Sequence, residues 1–419
     1  MRSAPSSAPA PAQPERAPLK PLDQALDELL SFAAPLTPPQ SISTFEADGR
    51  VLAQDLVSSL DVPAHDNSSM DGYALRCADG LDAQTLLPVS QRIAAGSSGH
   101  LLAPGSVARI FTGAPIPPGA DAVVMQEDCE ALEGGVRIRA QPRPGQWIRR
   151  RGEDVACGAA VLRSGERLGP ASLGLAASIG FDRLQVAPRV RVALFSTGDE
   201  LVMPGEVAPS DMKPGAIYNS NRFFLRALLQ RLGCVVTDLG IVPDRLDATV
   251  AALRDASAQH DLILTSGGVS VGEEDHVKPA VQALGQLNLW HLGIKPGKPF
   301  AYGKIGAAHF IGLPGNPVSS FVTFVLLVRP FILKLQGATA LAPASIALPA
   351  HFDWPKPDKR REFLRVRLNA SGALELFANQ SSGVLTSAVW GDGLVDLAAG
   401  RTITHGDTVR FLPFSALLS

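Results

Sequence analysis

Four short polar stretches carry residue types that do chemistry together. Ser196-Thr197-Gly198-Asp199-Glu200 follows the apolar run Val190–Phe195, so a glycine that lets the chain turn closely sits beside two carboxylates. Ser266-Gly267-Gly268-Val269-Ser270-Val271-Gly272-Glu273-Glu274-Asp275 sets three glycines and two hydroxyls ahead of a helical segment and ends in three consecutive acids. Its backbone N–H groups can hold an anion. The acids would repel a bare phosphate, but they suit a divalent cation that bridges carboxylate and phosphate. Lys295-Pro296-Gly297-Lys298-Pro299 puts two ammonium groups on one stiff turn, which suits an oxyanion such as phosphate, sulfate or a metal oxyanion. Leu313-Pro314-Gly315-Asn316-Pro317-Val318-Ser319-Ser320 opens a long helix, whose free N–H groups and Ser319 make a second anion cradle. Each stretch also has a plainer reading: a turn with a helix N-cap for the first, a helix cap for Asp275, and a solvated surface turn for the lysines.

A second group lies earlier in the chain. Asp61-Val62-Pro63-Ala64-His65-Asp66-Asn67-Ser68-Ser69-Met70-Asp71-Gly72-Tyr73 packs hydroxyls, an amide and several acids into one loop, more than a turn needs. Phe111-Thr112-Gly113-Ala114-Pro115 is comparable, and residues 137–151 hold six arginines and no acid, which reads equally as a solvated face.

The elements around these loops follow from hydrophobic periodicity. Leu22, Leu26, Leu29, Leu30 and Ala33 predict a helix over 20–33, closed by Pro35, and a second helix is expected over 170–179. From Arg189 onward, apolar strands alternate with helices: Val190–Phe195, a helix near 220–232, Val235–Val242, a helix near 246–253, Asp261–Thr265, another near 277–284, then Leu287–Ile294, Phe310–Leu313 and a long helix over 317–335. That alternation predicts a mostly parallel sheet with crossover helices, which binds ligands beyond the carboxyl ends of its strands. The expected fold class is therefore multidomain α/β and β. It has a central α/β domain over 188–336, an inserted β-rich domain over 61–149, a discontinuous helical/β linker domain over 19–60 plus 150–187, and a small C-terminal β-barrel over 340–419 built around the hairpin Leu364–Leu376.

Composition narrows the function classes. The 419 residues carry 38 Lys+Arg against 40 Asp+Glu, so the charge excess that a nucleic-acid binder needs is missing. No stretch reaches about 18 uncharged apolar residues, so no membrane association is expected. The four cysteines make no CxxC pair, which argues against structural zinc. Residues 1–18 lack an apolar signal core and read as a disordered tail, and a cytoplasmic location is expected. No GxGxxG follows a strand, and GxxxxGK[ST], HExxH and GxSxG are absent.

Taken in order, Asp66–Tyr73, Phe111–Pro118, Arg151-Gly152-Glu153-Asp154, Ser196–Leu201, Tyr218-Asn219-Ser220-Asn221-Arg222, Ser266–Asp275, Lys295–Pro299 and Leu313–Pro317 closely resemble the molybdopterin molybdenumtransferases, the molybdenum-insertion enzymes related to the gephyrin E domain. The resemblance spans about residues 19–419 and implies a four-domain homodimer with a site shared between subunits. The implied reaction inserts molybdate into adenylated molybdopterin with release of AMP, and needs magnesium (Mg2+). Carried over by motif, Asp66, Thr112, Asp154, Glu200, Asp244 and Asp275 are expected to be catalytic, with Glu200, Asp244 and Asp275 as the metal ligands. Ser196, Thr197, Gly198, Ser266, Gly267, Gly268, Ser270, Pro314, Gly315, Asn316 and Pro317 are expected to hold the pterin substrate. Lys295, Lys298, Ser319 and Arg360 are expected to form the molybdate pocket, although Lys359 stands where the family commonly has glycine, so Arg361 competes with Arg360. Other proteins of the same pathway are expected partners. Two rival readings are a related adenylyltransferase, normally a single domain, and a non-catalytic scaffold, which has no need to keep these acids and lysines.

Overall fold

The computed structural model describes residues 18–79, 84–268 and 276–418. Most of the expected tail, Ser270 and the acids Glu273, Glu274 and Asp275 lie outside the described residues. The chain forms two compact units, Gln40–Val186 and the remainder on either side of it in sequence.

The larger unit is organised by six strands: β1 (Arg191–Thr197), β2 (Val235–Val242), β3 (Leu262–Ser266), β4 (Gln286–His291), β5 (Pro299–Ile305) and β6 (Ala308–Leu313). They lie in the order β2-β1-β3-β6-β5-β4. The first four are mutually parallel; β5 runs antiparallel between β6 and the edge strand β4. The sequence reading passed over β5, because the prolines before it resemble loop.

Both faces of the sheet are covered, which explains the unbroken apolar runs. Val192, Leu194, Leu262 and Leu264 face one core, and Ala193, Phe195 and Ile263 face the other. The first core is closed by α1 (Leu22–Ser31), α2 (Asn221–Arg231) and the long C-terminal helix; the second by α3 (Leu246–Gln259) and α4 (Val277–Leu284). The sequence reading groups α1 with the discontinuous domain, but its buried Leu22, Ala25 and Leu29 pack in the α/β core. The long helix is α5 (Pro317–Thr323), a π segment over Phe324–Val328, and α6 (Arg329–Leu335). Pro330 follows the π segment; it has no N–H to give back one turn, and the widened turn accommodates that loss. Pro317–Leu335 is long and apolar enough to span a membrane, yet 89 % of that window is buried inside the protein, as in a core helix.

The C-terminal strands follow the path Ile294–Lys295, Arg361–Leu368, Gly393–Leu397, Thr408–Pro413, Ile346–Pro349. Leu374–Leu376 pairs with Arg361–Leu368 as the expected hairpin, Val366 opposite Leu376. Just beyond Pro349, Ala350 bridges Leu374 and the His351 N–H donates to the Leu374 carbonyl at 2.8 Å, which ties the last strand of the path back to the hairpin on Arg361–Leu368.

The smaller unit is β-rich, as expected. One sheet has the order Val89–Ile93, Val107–Ile110, Gly72–Leu75, Ala122–Met125, and the helix Pro170–Ser178 packs in a separate core with Leu52, Leu56, Leu162 and Leu184. Gly72 is fixed by crowding: a Cβ there would lie 1.8 Å from the Val124 carbonyl oxygen. Gly72→Ala is expected to destabilise this unit by at least about 2 kcal/mol, read as a lower urea midpoint of the transition that reports on it.

Candidate functional site

The carboxyl ends of β1, β2, β3 and β6 open onto one cavity of about 640 Å³, wholly within the larger unit. Its acidic end comes from the first two strands. Glu200 follows β1, and Asp244 follows β2, the neighbouring strand. Gly198 between β1 and Glu200 has φ +140°, and a Cβ there would lie 2.6 Å from Oε2 of Glu200, so the glycine makes room for that carboxylate.

Glycines also let β1 and β3 approach. A Cβ on Gly267 would meet the Thr197 carbonyl at 2.9 Å, and one on Gly268 would meet Val277 at 2.4 Å. Asn221, the first residue of α2, ties two of the loops together: its Nδ2 donates to the Gly315 carbonyl (2.7 Å) and to the Ser266 hydroxyl (3.2 Å). Thr197, Gly198, Gly267, Gly268, Pro314, Gly315 and Asn316 line the cavity. Ser266 and Pro317 line an adjoining space of about 360 Å³. Ser196 does not line either space: it is buried within β1, where strand alternation sends it to the opposite face from Thr197, and its hydroxyl has no partner among the described residues.

The basic end comes from Lys295, Lys298 and Arg360, with Ser319 on the first turn of α5. Gly297 has φ +115°, and a Cβ there would strike the Thr323 hydroxyl at 2.6 Å, so the lysine turn lies tight against the long helix. The helix N-terminus is less open than expected, because the Val318 N–H already donates to the Ser382 carbonyl at 2.9 Å. Gln380, Ser381 and Ser382 form a wall that the sequence reading missed. Their one sequence-level signal is a run of small polar residues between the hairpin and the following helix.

Ion pairs hold two of the three cations. Lys295 Nζ donates to Glu362 Oε1 at 2.9 Å and lies 3.4 Å from Asp358. Glu362 is buried, and its other oxygen accepts from the Trp354 indole N–H at 2.9 Å. Arg360 grips Asp358 through Nε (3.0 Å) and Nη2 (2.9 Å). These bonds from Arg360 hold the Asp358 carboxyl well below the usual carboxylate range, and Asp358 in turn raises Arg360. Lys298 is exposed and has no ion-pair partner among the described residues. Of the two neighbouring arginines, Arg360 lines the cavity, while Arg361 is bonded to Asp396 and Asp23.

Asp66, Thr112 and Asp154 belong to the smaller unit and are not among the residues lining this cavity. Asp66 accepts from the Arg151 amide (2.8 Å) and the Arg150 guanidinium (2.7 Å), and both hold its carboxyl below the usual range, the amide more strongly. The Thr112 amide and hydroxyl both donate to Asp71 at 2.8 Å. Asp154 is exposed, and its amide donates to the Val62 carbonyl. Part of the arginine run therefore clamps acids: Arg150 takes Asp66 and Arg151 takes Asp61.

Because Glu362 is the buried counter-charge for Lys295, Glu362→Gln is expected to cost about 2–3 kcal/mol. That is less than for a fully buried pair, since Lys295 is partly exposed. The same change leaves one acceptor oxygen where the Lys295 ammonium and the Trp354 N–H now use two, and chemical denaturation followed by tryptophan fluorescence would register the loss.

Comparison with known proteins places this geometry. Three family models match in order: "MoeA N-terminal region (domain I and II)" over 20–180, "Probable molybdopterin binding domain" over 193–334, and "MoeA C-terminal region (domain IV)" over 347–414. A molybdopterin molybdenumtransferase of Haemophilus influenzae is 40 % identical over 404 residues, covering 95 % of this chain and 99 % of that one. Molybdopterin molybdenumtransferase 2 of Mycobacterium tuberculosis is 36 % identical over 390 residues, covering 88 % and 92 %. A crystal structure of a molybdopterin biosynthesis MoeA protein from Pyrococcus horikoshii superposes with a TM-score of 0.83 at 27 % identity, covering 94 % of this chain and all of that one. With such identity across nearly the whole of both chains, and all three segments in order, the chain belongs to the molybdopterin molybdenumtransferase family.

Proposed function

We infer that this chain inserts molybdate into adenylated molybdopterin, hydrolysing the phosphoanhydride and releasing AMP, to give molybdenum cofactor. Its family supports a transferase role in molybdenum cofactor biosynthesis. One observation carries the finer reading: a single cavity sets two carboxylates at one end and Lys295, Lys298 and Arg360 at the other. Both reactants are anions, so an acidic end makes sense only where a cation joins it to phosphate.

The donor set fits magnesium. Glu200 and Asp244 come from neighbouring strand ends and line the same space. Among the described residues no three-membered acid or imidazole cluster exists, but magnesium ordinarily takes one or two carboxylates and completes its shell with waters and phosphate oxygens. Glu200 and Asp244 would hold the ion, with Asp275 as the expected third ligand. Bound there, the ion supplies positive charge to the phosphoanhydride.

The chain's own groups do the rest. Gly267, Gly268 and Gly315 present bare backbone, so phosphate oxygens can approach the loops closely. Asn221 holds the β3 and β6 loops at fixed separation. Lys298, Arg360 and Ser319 receive the molybdate oxygens, and Lys295 stays aimed by Glu362. In a homodimer, Asp66, Thr112 and Asp154 of one subunit would complete the site of the other. The protein would act in the cytoplasm, with other proteins of the pathway as its partners.

Purified protein given adenylated molybdopterin should release AMP only when molybdate and magnesium are both present. Asp244→Asn should slow release at least about tenfold, and Lys298→Ala should raise the molybdate requirement several-fold while pterin affinity stays nearly constant. No AMP from wild-type protein with all components supplied would overturn the reading. The shared site has its own test. Mixing inactive Asp66→Ala with inactive Asp244→Ala subunits should restore roughly a quarter of wild-type activity, since about half the dimers are mixed and each has one intact site. No recovery after demonstrated subunit exchange would place both residues in one subunit's site.

A further inference from the structure

Arg365 is the largest fully buried side chain among the described residues, with 1 % of its surface exposed. Its strand, Arg361–Leu368, is buried on both faces around it. The side chain has no carboxylate partner among the described residues; it bonds only neutral acceptors. Nε donates to the Ser387 hydroxyl (3.1 Å), Nη1 to the Phe363 carbonyl (3.1 Å) and Nη2 to the Ser381 carbonyl (3.3 Å). Its backbone is locked to the same segment, for its N–H donates to Gln380 Oε1 (2.9 Å) and its carbonyl accepts from Gln380 Nε2 (3.0 Å). Gln380 and Ser381 line the functional cavity. The neighbouring Ser382 carbonyl takes the Val318 N–H, which fastens this wall to the helix that carries Ser319.

Burying an unpaired guanidinium is costly, and burial alone pushes its pKa down to about 10. A neutral side chain of similar volume would pack this strand at lower cost. The neighbouring basic groups sharpen the point. Lys295 and Arg360 are each matched by a carboxylate, Glu362 and Asp358. Among the described residues, the positive charge not matched by a carboxylate on this side of the cavity is Lys298 in front and Arg365 behind the wall.

We propose that Arg365 is a positioning residue of the oxyanion site: it anchors the Gln380–Ser382 wall through the Ser381 carbonyl and sets an unneutralised positive charge behind it, so that the wall favours an anionic tetrahedral oxide. The proposal rests on the molybdate pocket inferred above, and it concerns a residue behind the lining rather than in it.

The test measures inorganic molybdate binding to the full-length protein by calorimetry, alongside steady-state AMP release. Arg365→Met removes charge and anchor, and should weaken molybdate binding about tenfold or more. In turnover the molybdate KM should rise by a similar factor, with kcat and the KM for adenylated pterin within about twofold of wild type. A purely structural role would instead lower all parameters together with the melting temperature. Arg365→Lys keeps the charge and loses the fork, and should weaken molybdate binding two- to threefold. Should Arg365→Met fail to fold, Arg365→Lys carries the decision. Wild-type affinity in the folded variant overturns the proposal. Absence of molybdate binding to wild-type protein overturns the underlying site reading, and this inference with it.

Discussion

A parallel sheet gathers strand ends, and whatever side chains follow those ends are forced into one another's electrostatic field. That crowding is the constraint on which the rest of the larger unit depends. β1, β2, β3 and β6 all deliver their carboxyl ends to the same edge, so Glu200, Asp244, the glycine loops and the start of α5 meet without any one loop being long. Two carboxylates on adjacent strands repel; three basic groups across the same space repel as well. The arrangement persists because each sign is segregated to its own end and each end has a means of relief.

The relief differs at the two ends. On the basic side it is built in: Asp358 occupies the fork of Arg360, and Glu362 reaches Lys295 from a fully buried position while also accepting the Trp354 N–H. Asp358 lies just before the strand Arg361–Leu368 and Glu362 is its second residue, paired with Lys295 in the ladder to Ile294–Lys295. The lysine turn and its counter-charges are thus held in register by a β-ladder. The C-terminal sheet does more than cap the α/β core, since its first ladder aims the lysine turn. Buried Glu362 and half-buried Asp358 thus hold Lys295 on the basic side of the cavity.

Much of this was legible in the sequence. Loops that follow apolar runs and combine glycine with hydroxyl, acid or lysine announce strand ends, and Thr197, Gly267, Lys295, Gly315 and Ser319 were readable for that reason. Their register was not: Ser196 and Thr197 are adjacent and chemically alike, yet strand alternation buries the first and presents the second. β5 was missed because prolines outweigh the β-branched and aromatic signal that follows them. The wall at Gln380–Ser382 and its support at Arg365 were missed for a deeper reason. An arginine between Leu364 and Val366 looks like the solvent face of a hairpin, and only the packing of Ser387 and Phe363 around it shows that both faces are covered. Arg360 and Arg361 were indistinguishable in sequence for the same cause: the partners that separate them, Asp358 on one side and Asp396 with Asp23 on the other, lie at sequence distances from 2 to 338 residues.

The smaller unit repeats the principle with the signs exchanged. Its acids Asp61 and Asp66 are held by Arg151 and Arg150 and by backbone amides, so the arginine run that reads as a solvated face is partly an internal clamp. A carboxylate gripped by a backbone amide cannot swing away or take up a proton easily, and Asp66 and Asp71 are both held this way. Fixed, ionised acids next to a threonine hydroxyl are poor material for a flexible loop and good material for a rigid surface that meets a charged ligand. In both units, then, some of the polar groups suited to chemistry, Lys295, Arg360 and Asp66, are fixed in advance by ion-pair or backbone partners. Reorganisation on binding is thereby kept small, which is where preorganised electrostatic sites gain their advantage over water.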